Sequence, residues 1–204
     1  MNSFYTEDDL KNLGLKKYGT NVLISKKCSI YTPQEISVGN NVRIDDFCIL
    51  SGEIEIGNYV HISAYNALYG KYGIKIGNFC GISPGCTLLS ASDDFSGNYM
   101  ISPLVSESLS NTTKGKIILN DYAHICTNSV VMPSVVFEKG AVCGAFSFVN
   151  KNLKEWTINA GIPAHFIKNR NRQIEKLAKE SYGKEDLNCM HNIQSEKFYQ
   201  ESSR

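Results

Sequence analysis

An aliphatic residue recurs at every sixth position of residues 36–68, whose sequence is ISVGNNVRIDDFCILSGEIEIGNYVHISAYNAL. The period resumes after a two-residue insertion and again after a longer break. The positions that carry it are Val38, Ile44, Leu50, Ile56, Ile62, Leu68, Ile76, Ile82, Leu88, Leu119, Ile125, Val131, Phe137, Cys143 and Val149. A period of six residues matches neither the helical turn of about 3.6 residues nor the two-residue alternation of a strand. The repeat predicts a solenoid in which three hexads close a triangular coil and coils stack into a parallel β-helix.

Two further positions of the hexad fit such a coil. The fourth residue after the aliphatic one is often small and is expected to point inward, as at Cys48, Cys80, Cys86, Ala123, Ser129, Ala141 and Ser147. Turn residues follow the aliphatic one, as at Gly39-Asn40, Gly57-Asn58 and Gly77-Asn78, and suit corners that need a positive φ. An open sheet of short strands, the alternative, predicts no fixed six-residue spacing.

Coil stacking also predicts which outward residues become neighbours, because equivalent positions lie 18 residues apart, or 20 across the insertion. One column is expected to contain Arg43, His61 and Gly81. A second column is expected to contain Ser37, Glu55, Lys75 and Asp93. In this arrangement Asp94 occupies the slot of the next inward aliphatic residue, and a residue that breaks a local rule often marks a functional site.

The hexad pattern resembles the hexapeptide-repeat acyltransferases, whose β-helix is left-handed, and the resemblance covers residues 20–168. The expected fold class is therefore an all-β repeat. A cap over residues 1–19 precedes it, with a short helix within 4–18 and Thr6 as N-cap. Residues 90–116 break the period and predict a long protruding loop. Residues 169–204 are expected to form a C-terminal helix, from about 171 to 181, and a tail beyond Gly183.

Composition excludes several classes of protein. The chain has 204 residues, with 21 basic and 20 acidic residues and a net charge of +1. The protein therefore lacks the strong overall positive charge that attracts nucleic acid. No apolar stretch reaches the roughly 18–20 residues of a membrane span. Seven cysteines without paired spacing, and a polar N-terminus unlike a signal peptide, favour reduced thiols and a cytoplasmic location.

Two adjacent carboxylates, Asp93 and Asp94, open the long loop within LLSASDDF at 88–95. The family resembled usually carries a histidine there, which acts as general base on a hydroxyl acceptor. A hydroxyl needs such a base near pH 7, whereas an amine that titrates near about pH 8 is already partly neutral. A carboxylate in place of the histidine therefore favours N-acetylation, with Asp93 and Asp94 as catalytic candidates. Alternatively, the two residues only cap the loop turn.

Four longer stretches strengthen the resemblance. NVRIDDFCIL (41–50), SASDDFSG (90–97), GAFSFVNKNLKEW (144–156) and AGIPAHFIKNR (160–170) are similar to bacterial N-acetyltransferases that act on dTDP-linked amino-dideoxyhexoses for O-antigen or other surface glycans. The resemblance implies an acetyl-CoA-dependent enzyme. We expect a 3-amino-3,6-dideoxyhexose as acceptor, and a 4-amino-4,6-dideoxyhexose next.

The resemblance also assigns binding residues. It implies a homotrimer that binds acetyl-CoA in the groove between subunits and needs no metal. The residues that match the lining of this groove are Gly144, Ala145, Ser147, Gly161, Ile162 and Ala164. Lys168 and Arg170 follow them and are candidates for the CoA phosphates, or form a solvated face. Candidates for the nucleotide and sugar are Arg43, Asp45, Asp46, His61 and Tyr65, with Arg43 on the diphosphate and Tyr65 on thymine; subunit contacts are the alternative for each.

Three other functions stay open at this stage. O-acetylation of a sugar or antibiotic would need His61 or His124 of a neighbouring subunit as base. A zinc hydratase of the same fold needs three histidines, two of them five apart, and the four histidines here lack that spacing. A non-catalytic scaffold or ice-binding surface would leave residues 90–116 without a purpose.

Overall fold

The computed structural model describes residues 3–182 and shows stacked parallel coils with three faces, which confirms the β-helix. The strands of the first face are Val22–Ile24, Val42–Ile44, His61–Ile62, Gly81–Ile82, His124–Ile125, Val142–Cys143, Thr157–Ala160 and, antiparallel to the last, His165–Asn169. The strands of the second face are Ser29–Tyr31, Thr87–Leu89, Val130–Val131 and Phe148–Val149. The strands of the third face are Lys17–Tyr18, Ile36–Val38, Ile117–Leu119 and Val136–Phe137. Two long strands, Ile49–Ile56 and Ala67–Ile76, run from the second face onto the third.

The chain divides into two compact units, Met1–Arg170 and Asn171–Arg204. In the first, the helix Glu7–Asn12 precedes the coils, and Thr6 caps it as predicted, since its side chain accepts from the Asp9 amide. The second unit is helical over residues 173–182, close to the predicted helix. The expected tail beyond Gly183 lies outside the described residues. No helix within residues 3–182 is long and apolar enough to span a membrane.

The periodic aliphatic residues form the core. Each of the fifteen positions that define the six-residue period is at most 4% exposed, including the two exceptions to the aliphatic rule, Phe137 and Cys143. Full burial of one such side chain contributes about 1.5–3 kcal/mol. The repeat therefore specifies the fold and a large part of its hydrophobic core.

The corner between the third and first faces, here the first corner, differs from the sequence-based expectation. Positive φ does not fall on the Gly-Asn pairs but one residue later, as at Asn41, Tyr59 and Phe79. The glycines are needed for a different reason: a Cβ on Gly39 would lie 2.5 Å from the carbonyl oxygen of Gly57 in the next coil. Glycine therefore permits close coil stacking rather than an unusual backbone angle.

The asparagines of these pairs form a ladder between coils. The Asn40 amide donates to Oδ1 of Asn58 (2.7 Å), and the Asn58 amide donates to Oδ1 of Asn78 (2.8 Å). The Asn78 amide in turn donates to Oδ1 of Asp121 (2.7 Å). Each side chain thus satisfies a backbone donor that a corner would otherwise leave without a partner.

We expect Asn78→Ala to lower the free energy of unfolding by about 1–3 kcal/mol, because it removes the acceptor of the Asn58 amide and leaves that donor unsatisfied. The measurement is chemical denaturation of the variant beside Asn150→Ala, whose side chain is exposed. Equal midpoints for the two variants would show that the ladder contributes nothing to stability.

The excursion at residues 90–116 is present, and it leaves the β-helix before Asp93, which the predicted column had included. Its base is an antiparallel hairpin of Ala91–Asp93 and Thr112–Lys114, and a short 3-10 turn, Glu107–Leu109, lies within it. Ile118, not Asp93, lies beside Lys75, and Leu119, not Asp94, lies beside Ile76. The placement of Asp93 in the column of Ser37, Glu55 and Lys75, and of Asp94 in an inward slot, is therefore wrong. The hairpin strands pair with each other, so the coil resumes only at Ile117.

Candidate active site

The two loop carboxylates have different surroundings. Asp94 accepts hydrogen bonds from the Ser96 amide (2.7 Å) and from Nδ2 of Asn111 (2.8 Å). These bonds, those from Ser96 foremost, lower the pKa of Asp94. Asp94 therefore closes the loop, which is the capping role considered as the alternative.

Asp93 is half-buried and lies opposite Thr112 at the end of the hairpin strand. Within residues 3–182, no group donates a hydrogen bond to its carboxylate and no cation pairs with it. A carboxylate in this condition is available to a ligand that carries a positive charge. Of the two catalytic candidates, Asp93 is the one with free acceptor oxygens.

Three of the predicted substrate-binding residues form one cluster. Asp45 accepts from Nε of Arg43 (2.6 Å) through Oδ1, and its Oδ2 lies 2.7 Å from Nε2 of His61. Partial burial alone would raise the pKa of Asp45, but the hydrogen bonds from His61 and Arg43 outweigh it and hold the pKa below its usual value. The predicted column of Arg43, His61 and Gly81 is confirmed by the strand register.

The corner between the first and second faces, here the second corner, carries an exposed aromatic pair. Tyr65 is 64% exposed and stacks on Phe47 with ring centroids 5.1 Å apart. Lys27 lies with Nζ 5.3 Å from the Phe47 ring and also pairs with Asp46 at 2.7 Å. Asp46 is thus engaged by Lys27, and hydrogen bonds from Lys27 and Ser25 lower its pKa. Sequence reasoning missed Phe47, although it lies 18 residues before Tyr65.

A hydrogen bond joins Ser83, at the second corner, to His124 on the first face, with Oγ and Nε2 3.1 Å apart. The imidazole lies against Gly81, where a Cβ would come within 2.5 Å of Nδ1. Burial, with the positive charge of Arg170, lowers the pKa of His124 below its ordinary 6.5. Sequence reasoning gave neither Ser83 nor His124 a role in N-acetylation.

The lowered pKa of His124 predicts a dependence of stability on pH. Below about pH 6.5 the unfolded chain binds a proton that the folded chain does not, so stability falls as the pH decreases from 7.5 to 5.5. We expect His124→Gln to reduce this fall, and the exposed His165→Gln to serve as its control. Thermal unfolding at the two pH values is the measurement, and an unchanged fall in His124→Gln would contradict the prediction.

The predicted cofactor-binding residues meet at the last coils of the β-helix. Ser147 donates through Oγ to the Gly144 carbonyl (2.7 Å) and accepts from the Gly161 amide (3.2 Å). The Ala164 amide donates to the Phe148 carbonyl (2.8 Å). The members on the surface are Ala145 and Ile162, both exposed, and Lys168, with no ion pair within the described chain. The buried Ser147 therefore orders the turn, while its neighbours present a surface.

Arg170 has a structural role that the sequence did not suggest. Its Nη1 donates to the carbonyls of Tyr122 (2.7 Å) and Gly140 (2.9 Å), and the guanidinium lies 5.9 Å from the Trp156 ring. These contacts join the last strand to the first corner. Arg170 is therefore held by the protein itself through Nη1, and the expected contact of Lys168 and Arg170 with CoA phosphates stays a prediction.

The two parts of the candidate site lie at different corners. Ser83, Tyr65 and Asp45 are at the second corner. Asp93 leaves the coil at the corner between the second and third faces, here the third corner, and the strand Thr87–Leu89 separates the two corners. The outward column of the second face between them consists of Ser29, Ile49, Ala67, Thr87, Val130 and Phe148. Within residues 3–182, no group of three or more His, Cys, Asp or Glu side chains is placed to hold a metal ion.

Comparisons with known proteins identify relatives of this chain. No protein-family model matches the chain. It is 38% identical over 178 residues, 86% of this chain and 93% of the relative, to the dTDP-4-amino-4,6-dideoxy-D-glucose acyltransferase of Escherichia coli.

Two solved structures of AntD, an N-acyltransferase from Bacillus cereus, are also similar. The complex with dTDP and 3-hydroxybutyryl-CoA is 46% identical with a TM-score of 0.88, covering 92% of this chain and 100% of that one. A serine variant in complex with dTDP-4-amino-4,6-dideoxyglucose and coenzyme A is 48% identical with a TM-score of 0.87, covering 88% and 97%. The chain is therefore an acyltransferase and belongs to the family of the dTDP-4-amino-4,6-dideoxy-D-glucose acyltransferases.

Proposed function

We propose that the protein transfers the acetyl group of acetyl-CoA to the 4-amino group of dTDP-4-amino-4,6-dideoxyglucose. The observation that carries this proposal is the likeness over nearly the full chain to the Escherichia coli enzyme of that name, together with the free carboxylate of Asp93. The expected preference for a 3-amino sugar finds no support, because the Escherichia coli relative is named for a 4-amino sugar and a variant of AntD was crystallised with one. No residue of the sequence distinguished the two positions.

The structures of AntD support a role for Asp93 in particular. AntD was crystallised with substitutions at one serine and at an aspartate ten positions later. This chain has Ser83 and Asp93 at the same spacing, whereas Pro84 precedes Asp94 by ten positions. The spacing therefore favours Asp93 over Asp94 as the catalytic carboxylate.

In the proposed reaction, Asp93 holds the substrate ammonium and accepts a proton from it, directly or through water. The neutral amine forms a C–N bond to the thioester carbonyl carbon, the C–S bond breaks, and the CoA thiolate takes up the proton that the nitrogen loses as it becomes an amide. Ser83, held by His124, is placed to donate a hydrogen bond to the carbonyl oxygen as negative charge develops. Much of the acceleration comes from holding the two substrates together.

Ser83 and Asp93 lie at different corners of one subunit, and a trimer could combine them in one active site from two neighbouring subunits. The outward column of the second face is mostly apolar, as a surface covered by a subunit contact is, and it lies between the corner of Ser83 and the corner of Asp93. If the second face of each subunit turns toward a three-fold axis, Asp93 at one edge of the face approaches Ser83 at the other edge of the neighbouring face. The Tyr65–Phe47 pair at the second corner then offers a flat apolar surface for thymine.

The experiment is thiol release from acetyl-CoA with a panel of acceptors: dTDP-4-amino- and dTDP-3-amino-dideoxyhexoses, a UDP-amino sugar and a neutral hydroxyl sugar. Turnover with the dTDP-4-amino sugar alone supports the proposal, and turnover with the 3-amino sugar alone overturns its regiochemistry. Replacing acetyl-CoA by 3-hydroxybutyryl-CoA tests the acyl group.

One observation favours a second candidate, O-acetylation of a sugar. His61 lies in hydrogen-bond contact with the Asp45 carboxylate, an arrangement that orients a general base for a hydroxyl. Loss of hydroxyl-sugar turnover in His61→Asn, with turnover of amino sugars absent from the wild type, would establish this candidate in place of N-acetylation.

A further inference from the structure

The hairpin that carries Asp93 also carries a cation on the same face. Lys114 lies opposite Ala91, and Asp93 lies opposite Thr112. Side chains of an antiparallel pair alternate between the two faces, so Asp93 and Lys114 lie on one face as diagonal neighbours, with Cβ atoms about 7 Å apart. No ion pair joins them in the described structure, so both charges remain available.

A second lysine contacts the same aromatic ring as the first. The Nζ atoms of Lys114 and Lys71 lie 5.2 and 5.7 Å from the centroid of the Tyr72 ring. Within residues 3–182 neither lysine has a carboxylate within ion-pair distance. Lys116, two residues beyond Lys114, differs, because Glu53 and Glu55 each hold its Nζ at 3.2 Å.

We propose that Lys114 and Lys71 bind the diphosphate of the nucleotide sugar while Asp93 binds its amine. The inference rests on the proposed function and names the residues that recognise the acceptor. A 4-amino-hexosyl diphosphate carries an ammonium and a phosphate at opposite ends of one pyranose ring, and the hairpin presents a carboxylate and an ammonium on side chains whose Cβ atoms are about 7 Å apart. Lysine binds phosphate as a point charge, and two of them match a diphosphate.

The arrangement also gives a reason for regiochemistry. An amine at position 4 lies across the ring from the phosphate at position 1. The amine can therefore pair with Asp93 while the phosphate pairs with Lys114. An amine at position 3 lies to one side of that axis. The spacing between Asp93 and Lys114 therefore favours binding of the 4-amino isomer.

The experiment compares Lys114→Gln, the double variant Lys71→Gln with Lys114→Gln, Lys114→Arg and the control Lys151→Gln, whose lysine is exposed. We expect the KM for the dTDP-4-amino sugar to rise about tenfold in Lys114→Gln and further in the double variant. The KM for the CoA thioester and the unfolding temperature should not change, and Lys114→Arg should restore much of the loss. The KM of the wild type should rise with salt, and that of the double variant should rise less.

Calorimetry with dTDP gives a readout independent of turnover. Binding about tenfold weaker in Lys114→Gln than in the wild type and in Lys151→Gln supports the inference. Unchanged dTDP binding and an unchanged KM in the double variant overturn it, while the proposed function stands if the wild type acetylates the amino sugar. A wild type that neither binds dTDP nor acetylates any amino sugar overturns both.

Discussion

Asp93→Asn lowers kcat for transfer to the amino sugar by about 100-fold or more, which is the expected contribution of a positioned proton acceptor. Asparagine keeps the shape of the side chain but can neither attract the substrate ammonium nor take its proton. Because a sugar amine titrates near about pH 8, the deficit should narrow as the assay pH rises above that value and the amine becomes neutral in solution. Steady-state kinetics from pH 6.5 to 9.5 measure both effects.

Asp94→Asn is the matched control for this prediction. Asp94 adjoins Asp93 but is engaged by Ser96 and Asn111, so its replacement should loosen the loop and change kcat far less. Equal losses in the two variants would mean that the hairpin needs both carboxylates for its structure and that neither is catalytic.

Mixing two inactive variants should restore activity if each active site uses two subunits. Asp93→Asn removes the carboxylate at the third corner, and Ser83→Tyr fills the space at the second corner. In a trimer assembled at random from equal amounts of both, about one quarter of the sites combine an intact Asp93 with an intact Ser83 from the neighbour. Activity of the refolded mixture should therefore approach about one quarter of the wild-type value, against nearly none for either variant alone.

The state of assembly decides how this result is interpreted. Sedimentation must show that each variant forms the same oligomer as the wild type. No recovery in mixed trimers would place Ser83 and Asp93 in one subunit, and a wild type that sediments as a monomer would remove the shared site altogether.

The core was predictable because burial in a coil depends only on position within the hexad. The period identified the inward aliphatic residues even at Phe137 and Cys143, where the residue type gives a weaker signal. The column of Arg43, His61 and Gly81 followed from the same spacing. These contacts are set by the repeat itself, without information from distant parts of the chain.

The site was less predictable because it depends on departures from the repeat. The excursion puts Ser83 and His124 41 positions apart in the sequence, so the coil spacing of 18 or 20 residues could not pair them. The hairpin base placed Asp93 and Asp94 outside the column assigned to them. The separate environments of these two carboxylates depend on Asn111, which returns from the far end of the loop.

The base of the excursion has a consequence for how such enzymes diverge. The Gly115 amide donates to the Ser90 carbonyl at 3.0 Å, and Ile117 resumes the stack beside Ile74, so the inserted segment starts and ends at the same point of the coil. Its length and sequence can change without shifting the register of any later strand. The segment that carries the proposed acceptor residues can therefore be exchanged in evolution, while the last coils, with the proposed surface for the acyl donor, keep their structure.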